Sequence, residues 1–139
     1  MGHYRTPSKS NKYYLPKEEY LTAVHYALRY PLLIEELKTT ANADTGQAIR
    51  YDKDRVQTSN LYDATSETAM QRAMIQEKID KIMDTLEEAT DSAHEKKYLR
   101  LHVCYGFTQW QLEDKGMKCG RYRFSDMRQY FYYLLSKKI

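Results

Sequence analysis

Seven cations, Lys115, Lys118, Arg121, Arg123, Arg128, Lys137 and Lys138, stand against one acid, Asp126, between Lys115 and Ile139. Cations concentrated in this way suit a polyphosphate partner, because each phosphate neutralised releases a condensed counterion. Their spacing adds a second property. On a helix, Phe124, Met127, Phe131, Leu134 and Leu135 share one apolar stripe. Arg121, Tyr122, Ser125, Arg128 and Gln129 then fall on the opposite face. Arginine can hold guanine O6 and N7 together, and glutamine can do the same for adenine. Lys115, Lys118, Arg123, Lys137 and Lys138 suit phosphates, which position without specifying. The expected DNA-binding set is therefore Lys115, Lys118, Arg121, Tyr122, Arg123, Ser125, Arg128 and Gln129. The plainer reading of the same residues is an amphipathic C-terminal helix whose cations only solvate it.

Such a face has to be presented by the elements before it. Thr108-Gln-Trp-Gln111 has capping-box spacing and opens a helix of two turns that ends at Gly116. A turn leads on to Cys119 or Gly120, where the basic helix begins. A short helix, a glycine turn and a longer helix form the outline of a helix-turn-helix, whose second helix lies in the major groove. The turn is longer than usual. Leu112 and Met117 are expected to face inward, and Trp110 is expected in the core rather than against a DNA backbone. Cys119 reads as a small cap-region residue; if exposed, Lys118 and Arg121 beside it would lower its pKa.

The rest of the chain reads as all-α, a helical domain with a long central helix. Residues 1–12 are a flexible basic arm and 13–38 an N-terminal helical region. Pro16 is expected at the first helical position, followed by about four turns. Pro31 should end or kink that helix, and Leu32, Leu33, Ile34 and Leu37 continue as a second piece. Residues 39–59 show little periodicity and read as a linker, with a loop over Thr39–Gly46. Asp52 and Asp54 form a solvated charged turn there. Residues 60–139 hold a long helix, from about Ser59-Asn60 to Ala89, and the closing motif. In that helix Ile75, Ile79, Ile82, Leu86 and Ala89 recur at spacings of 4, 3, 4 and 3, a narrow seam. The seam packs on the chain's own helices or joins two copies through Ile75-Ile79-Ile82-Leu86. Ser92 and Glu95 have the spacing of another capping box, and Gly106 is placed to end the helix behind it. His102 reads as a core or groove histidine.

Charge is unevenly spread. Residues 61–95 carry three cations and nine acids, a sum of −6, whereas residues 115–139 sum to +6. This asymmetry suggests two faces with different partners. Two cysteines make no disulfide framework, so a reduced cytoplasmic setting is expected. The four histidines lack zinc-finger spacing, so no metal or cofactor is expected. No apolar run approaches a membrane span, and the polar, tyrosine-rich N-terminus reads as no signal peptide.

Two stretches resemble the RinA/ArpU-type phage and prophage transcriptional regulators. One is Lys12-Tyr-Tyr-Leu-Pro-Lys17 with Tyr20, His25-Tyr26, Arg29-Tyr30-Pro31 and Glu35-Glu36-Leu37. The other is Leu112-Glu113, Gly116, Cys119-Gly120-Arg121, Phe124, Arg128, Phe131 and Leu134-Leu135, similar to that group's sigma-region-4-like helix-turn-helix. The resemblance covers about half the chain and implies a regulator, expected to be an activator, of phage or mobile-element genes. Double-stranded DNA is the expected partner, with RNA polymerase as a second. The alternative is a DNA-binding packaging or assembly protein of a phage, a small-terminase-like oligomer. No phosphate loop, HExxH or GxSxG is present, and no catalytic residue is expected.

Overall fold

The computed structural model describes residues 7–51 and 58–139, with side chains over 7–40 and 67–139; Asp52 and Asp54 lie outside it. The described residues are all helical apart from turns. In chain order the helices are α1 (Lys17–Leu28), α2 (Tyr30–Tyr51), α3 (Thr58–Ala89), α4 (Ala93–Tyr105), α5 (Gln109–Asp114) and α6 (Arg121–Ser136). The chain divides into two compact units, residues 32–80 and the rest.

The larger unit holds the C-terminal motif. Pro16 is the N-cap of α1, one residue earlier than expected, and Tyr20 N–H donates to its carbonyl at 2.9 Å. The first helix ends just before Pro31, as expected, the break from α2 falling at Arg29. Pro31 stands in the first turn of α2, where a missing N–H has no helical partner to lose. α6 packs on α1 and α4, α1 packs on α4, and α5 leans on α4. Tyr20, Val24, Leu86, Leu99, Val103, Leu112, Phe131 and Leu135 are fully buried. Each such side chain contributes roughly 1.5–3 kcal/mol by leaving water. Tyr132 joins them, its ring 5.2 Å from that of Tyr20, whereas Leu134 is only half-buried.

The seam of α3 is settled by burial. Ile79, Ile82 and Leu86 are buried within the chain itself. Ile75 is half-buried, so within the described residues the seam packs mainly on the chain itself. In the smaller unit, α2 runs on through Thr39–Tyr51, where a loop was expected. The stretch lacks proline, and nothing else in it forbids a helix. Leu33 is buried here, and Leu32, Glu36, Thr40, Met74 and Ile75 line an open groove of about 520 Å³.

The N-terminal segment is tied down from residue 7 onward. Pro7 is buried, and Asn11 donates from Nδ2 to Gln129 Oε1 at 3.0 Å. The Tyr13 ring lies 4.9 Å from Tyr130 and 5.8 Å from Tyr133. Asn11 and Tyr13, at the end of the expected arm and just after it, thus lie against α6.

Candidate nucleic-acid interface

Local sequence fixes the approach to α6. Thr108 and Gln111 make both halves of a capping box: Gln111 N–H donates to Thr108 Oγ1 at 3.2 Å, and Thr108 N–H donates to Gln111 Oε1 at 2.9 Å. α5 then ends in a Schellman turn. Met117 N–H reaches back to Leu112 O at 3.0 Å, and Gly116 N–H to Glu113 O at 3.1 Å. Gly116 sits at φ 107°, left-handed backbone that a side chain resists.

The long turn is pinned by successive side chains of α4. Tyr98 donates its hydroxyl to Lys115 O at 3.3 Å. Lys118 N–H donates to His94 Nε2 at 3.2 Å, and Cys119 Sγ donates to Glu95 Oε2 at 3.5 Å. His94 and Tyr98 are one helical turn apart, their rings tilted against each other with centroids 4.9 Å apart. The start of α6 is therefore referenced to α4 rather than to α5 alone.

Helical rotation sets the directions of the first side chains of α6. Each residue advances about 100°. With Phe124 buried, Tyr122 points about 160° away from the core and is 94% exposed. Arg121 and Arg123 flank it on either side. The N-cap of α6 is Gly120, with no side chain capping the first-turn N–H groups. An uncapped helix N-terminus favours anions through its free donors and its dipole.

Both flanking arginines are held by carboxylates. Arg121 donates from Nε and Nη2 to Glu113 of α5, at 3.2 and 3.5 Å. Arg123 donates from Nε and Nη2 to Glu95 of α4, the Nη2 bond being 2.9 Å. Glu95 also accepts from Thr90 Oγ1 at 3.1 Å. The Arg123 guanidinium, with Thr90 and Cys119 assisting, outweighs burial and holds the Glu95 carboxyl down at about 2. Arg121 likewise lowers the Glu113 carboxyl. Beside the Glu95–Arg123 pair, Glu88, Thr90, Ser92, Asp126 and Tyr130 complete the wall of a pocket of about 540 Å³.

The remaining expected residues divide. Lys118 is exposed, and so is Lys115, whose Nζ lies 5.2 Å above the Phe107 ring. Ser125 is half-buried and accepts from Arg128 Nη2 at 3.5 Å. Arg128 lies about 40° from the direction of Phe124 and is half-buried, its Nε buried without a partner. Gln129 is occupied by Asn11. Lys137 and Lys138 stand at the far end of a 16-residue helix, about 24 Å along its axis, and Lys138 pairs with Glu88 at 2.9 Å. The most open face lies over the turn and the first two turns of α6; beyond them Asn11, Tyr13 and α1 lie against the helix.

Two further expectations about this region need correction. Trp110 is 71% exposed rather than in the core. The signal was present: Leu112 is two residues away, about 200° around the helix, so both cannot face inward. Cys119, next to the N-cap Gly120, is half-buried rather than exposed, and burial first, then Glu95, push its thiol up. The Ser92–Glu95 box is half-made. Ser92 Oγ accepts from Glu95 N–H at 3.3 Å, but the Glu95 carboxylate turns to Arg123, and Ser92 N–H donates to Thr90 instead. Glu95 and Glu113 were missed as site residues, since no local spacing links them to arginines 28 and 8 positions on.

No family model, curated protein or solved structure matches this chain. Among the described residues, no helix is long and apolar enough to cross a membrane, and no three His, Cys, Asp or Glu side chains converge to hold a metal.

Proposed function

We propose that this chain is a sequence-specific double-stranded DNA-binding regulator of transcription, an activator of phage or mobile-element genes, with α5 and α6 serving as its helix-turn-helix. One observation carries the reading: a bare tyrosine between two outward arginines, on an uncapped helix N-terminus, with Lys118 and Lys115 just ahead of it. Solvation alone requires cations, but not an almost wholly exposed ring of this kind. In a groove-binding helix the N-terminal residues meet base edges while neighbouring cations meet phosphates. Arg121, Tyr122 and Ser125 are the proposed readers, and Lys115, Lys118 and Arg123 the proposed phosphate contacts. The acidic run over residues 61–95 is the proposed surface for RNA polymerase.

Fluorescence anisotropy on duplex DNA across salt concentrations tests this. The three proposed phosphate contacts per chain give a slope of log K on log salt of about −2.7. Lys118→Ala should lower that slope by about 1. A wild-type protein that binds no duplex at low salt would refute the reading.

A DNA-binding packaging component is the second reading, favoured by a different feature. Leu32 and Met74 in the groove of the smaller unit, and Met70 nearby in sequence, are largely exposed. Light scattering decides between the two: a ring of many subunits indicates assembly, and a monomer or dimer indicates regulation.

A further inference from the structure

We propose that Glu113 and Glu95 are positioning residues that fix Arg121 and Arg123 as two oriented forks on either side of Tyr122, Arg121 toward base edges and Arg123 toward phosphate, so that selectivity for DNA sequence depends on Glu113. The inference rests on the DNA-binding reading and adds residues that would never touch the DNA. A guanidinium has five N–H donors in a rigid plane. In both pairs the carboxylate takes the same edge, Nε and Nη2. The far edge, formed by Nη1 and the outer hydrogen of Nη2, stays open. That edge has the spacing to meet two acceptors together, as guanine O6 and N7 or two phosphate oxygens present them. The arginine side chains remain 75% and 69% exposed, so the brace does not hide them.

The two braces differ in stiffness. The Glu95 side chain is 10% exposed and is also held by Thr90 and Cys119, so Arg123 is anchored to α4. The Glu113 side chain is 33% exposed, and its other partner is Gln109, at 3.4 Å within α5. A carboxylate beside each arginine also weakens the long-range pull on any phosphate backbone. Orientation and partial neutralisation act together: they favour the correct site and disfavour the rest.

The experiment compares wild type, Glu113→Gln, Arg121→Ala and the double variant. Each is titrated against a duplex recovered by selection from a random pool and against a scrambled duplex of equal composition. Glu113→Gln removes a negative charge and should tighten scrambled DNA while weakening the selected site, lowering the ratio of affinities about fivefold or more. In the Arg121→Ala background the same change should leave the ratio untouched, which a purely structural role would not produce. The Glu113 side chain is partly exposed, and thermal unfolding checks that folding is retained; Glu95→Gln, which acts on a phosphate contact, should shift both affinities together. If Glu113→Gln tightens both duplexes equally, the carboxylate only screens charge and the proposal is overturned. If the ratio does not move, it is overturned as well. If wild type binds no duplex or shows no selectivity, the underlying reading fails and this proposal falls with it, a result separable from the other two.

Discussion

Replacing Glu95 by Gln should remove a defined part of the acid sensitivity of folding. The carboxyl is held down at about 2 against an ordinary 4.5. A difference of that size corresponds to roughly 3 kcal/mol if nothing screens it. The Arg123 side chain is 69% exposed, so solvent screening reduces the figure to about 1–2 kcal/mol. The sign comes from the direction. A carboxyl whose folded pKa is depressed binds fewer protons folded than unfolded, so its stabilisation is complete above 4.5. It is lost as pH falls from 4.5 toward about 2. Urea unfolding, followed by helical circular dichroism from pH 7 to pH 3, measures it. At pH 7 Glu95→Gln should be less stable than wild type by about 1–2 kcal/mol, and the gap should narrow below pH 4.5. Arg123→Gln removes the largest cause of the depression, so its slope in that window should flatten too. Parallel profiles for wild type and Glu95→Gln, with a constant gap down to pH 3, would refute the reasoning.

His102 behaves in the complementary window. Burial, the largest cause, lowers its pKa below 6.5, while Nδ1 bonds to Phe107 O at 2.6 Å. Stability should be complete above 6.5 and fall as pH drops through it, and His102→Gln should lose that step; a nuclear magnetic resonance titration should find the wild-type ring protonating at lower pH than in the unfolded chain. Gly116→Ala should cost about 1–2 kcal/mol in urea unfolding, since φ is 107°, a backbone conformation that a side chain resists whatever the space around it. Trp110→Ser should leave the unfolding midpoint within about 0.5 kcal/mol of wild type, because the ring is largely exposed; a loss of several kcal/mol would return Trp110 to the core.

The parts legible in the sequence were those set by neighbours along the chain. The spacing of Ile75, Ile79, Ile82 and Leu86 announces α3, and Thr108 with Gln111 announces α5, because periodicity and capping are local. Pro31 and Gly106 mark helix ends through backbone geometry alone. The second half of α2 was hidden by Thr39–Gly46, whose residues favour turns only weakly and do not prevent a helix. In the site, the cations and the outward Tyr122 can be placed from position on α6. The carboxylates that hold them, and the Asn11 that occupies Gln129, come from other elements. Tertiary packing brings them together, and one sequence read locally carries no mark of it.

The most direct test is selection of bound duplexes from a random DNA pool by the full chain, with Arg121→Ala alongside. The account predicts an enriched sequence for wild type and loss of enrichment at one or more positions for the variant. Recovery of an unenriched pool by wild type, or of the same sequence by both proteins, would contradict it.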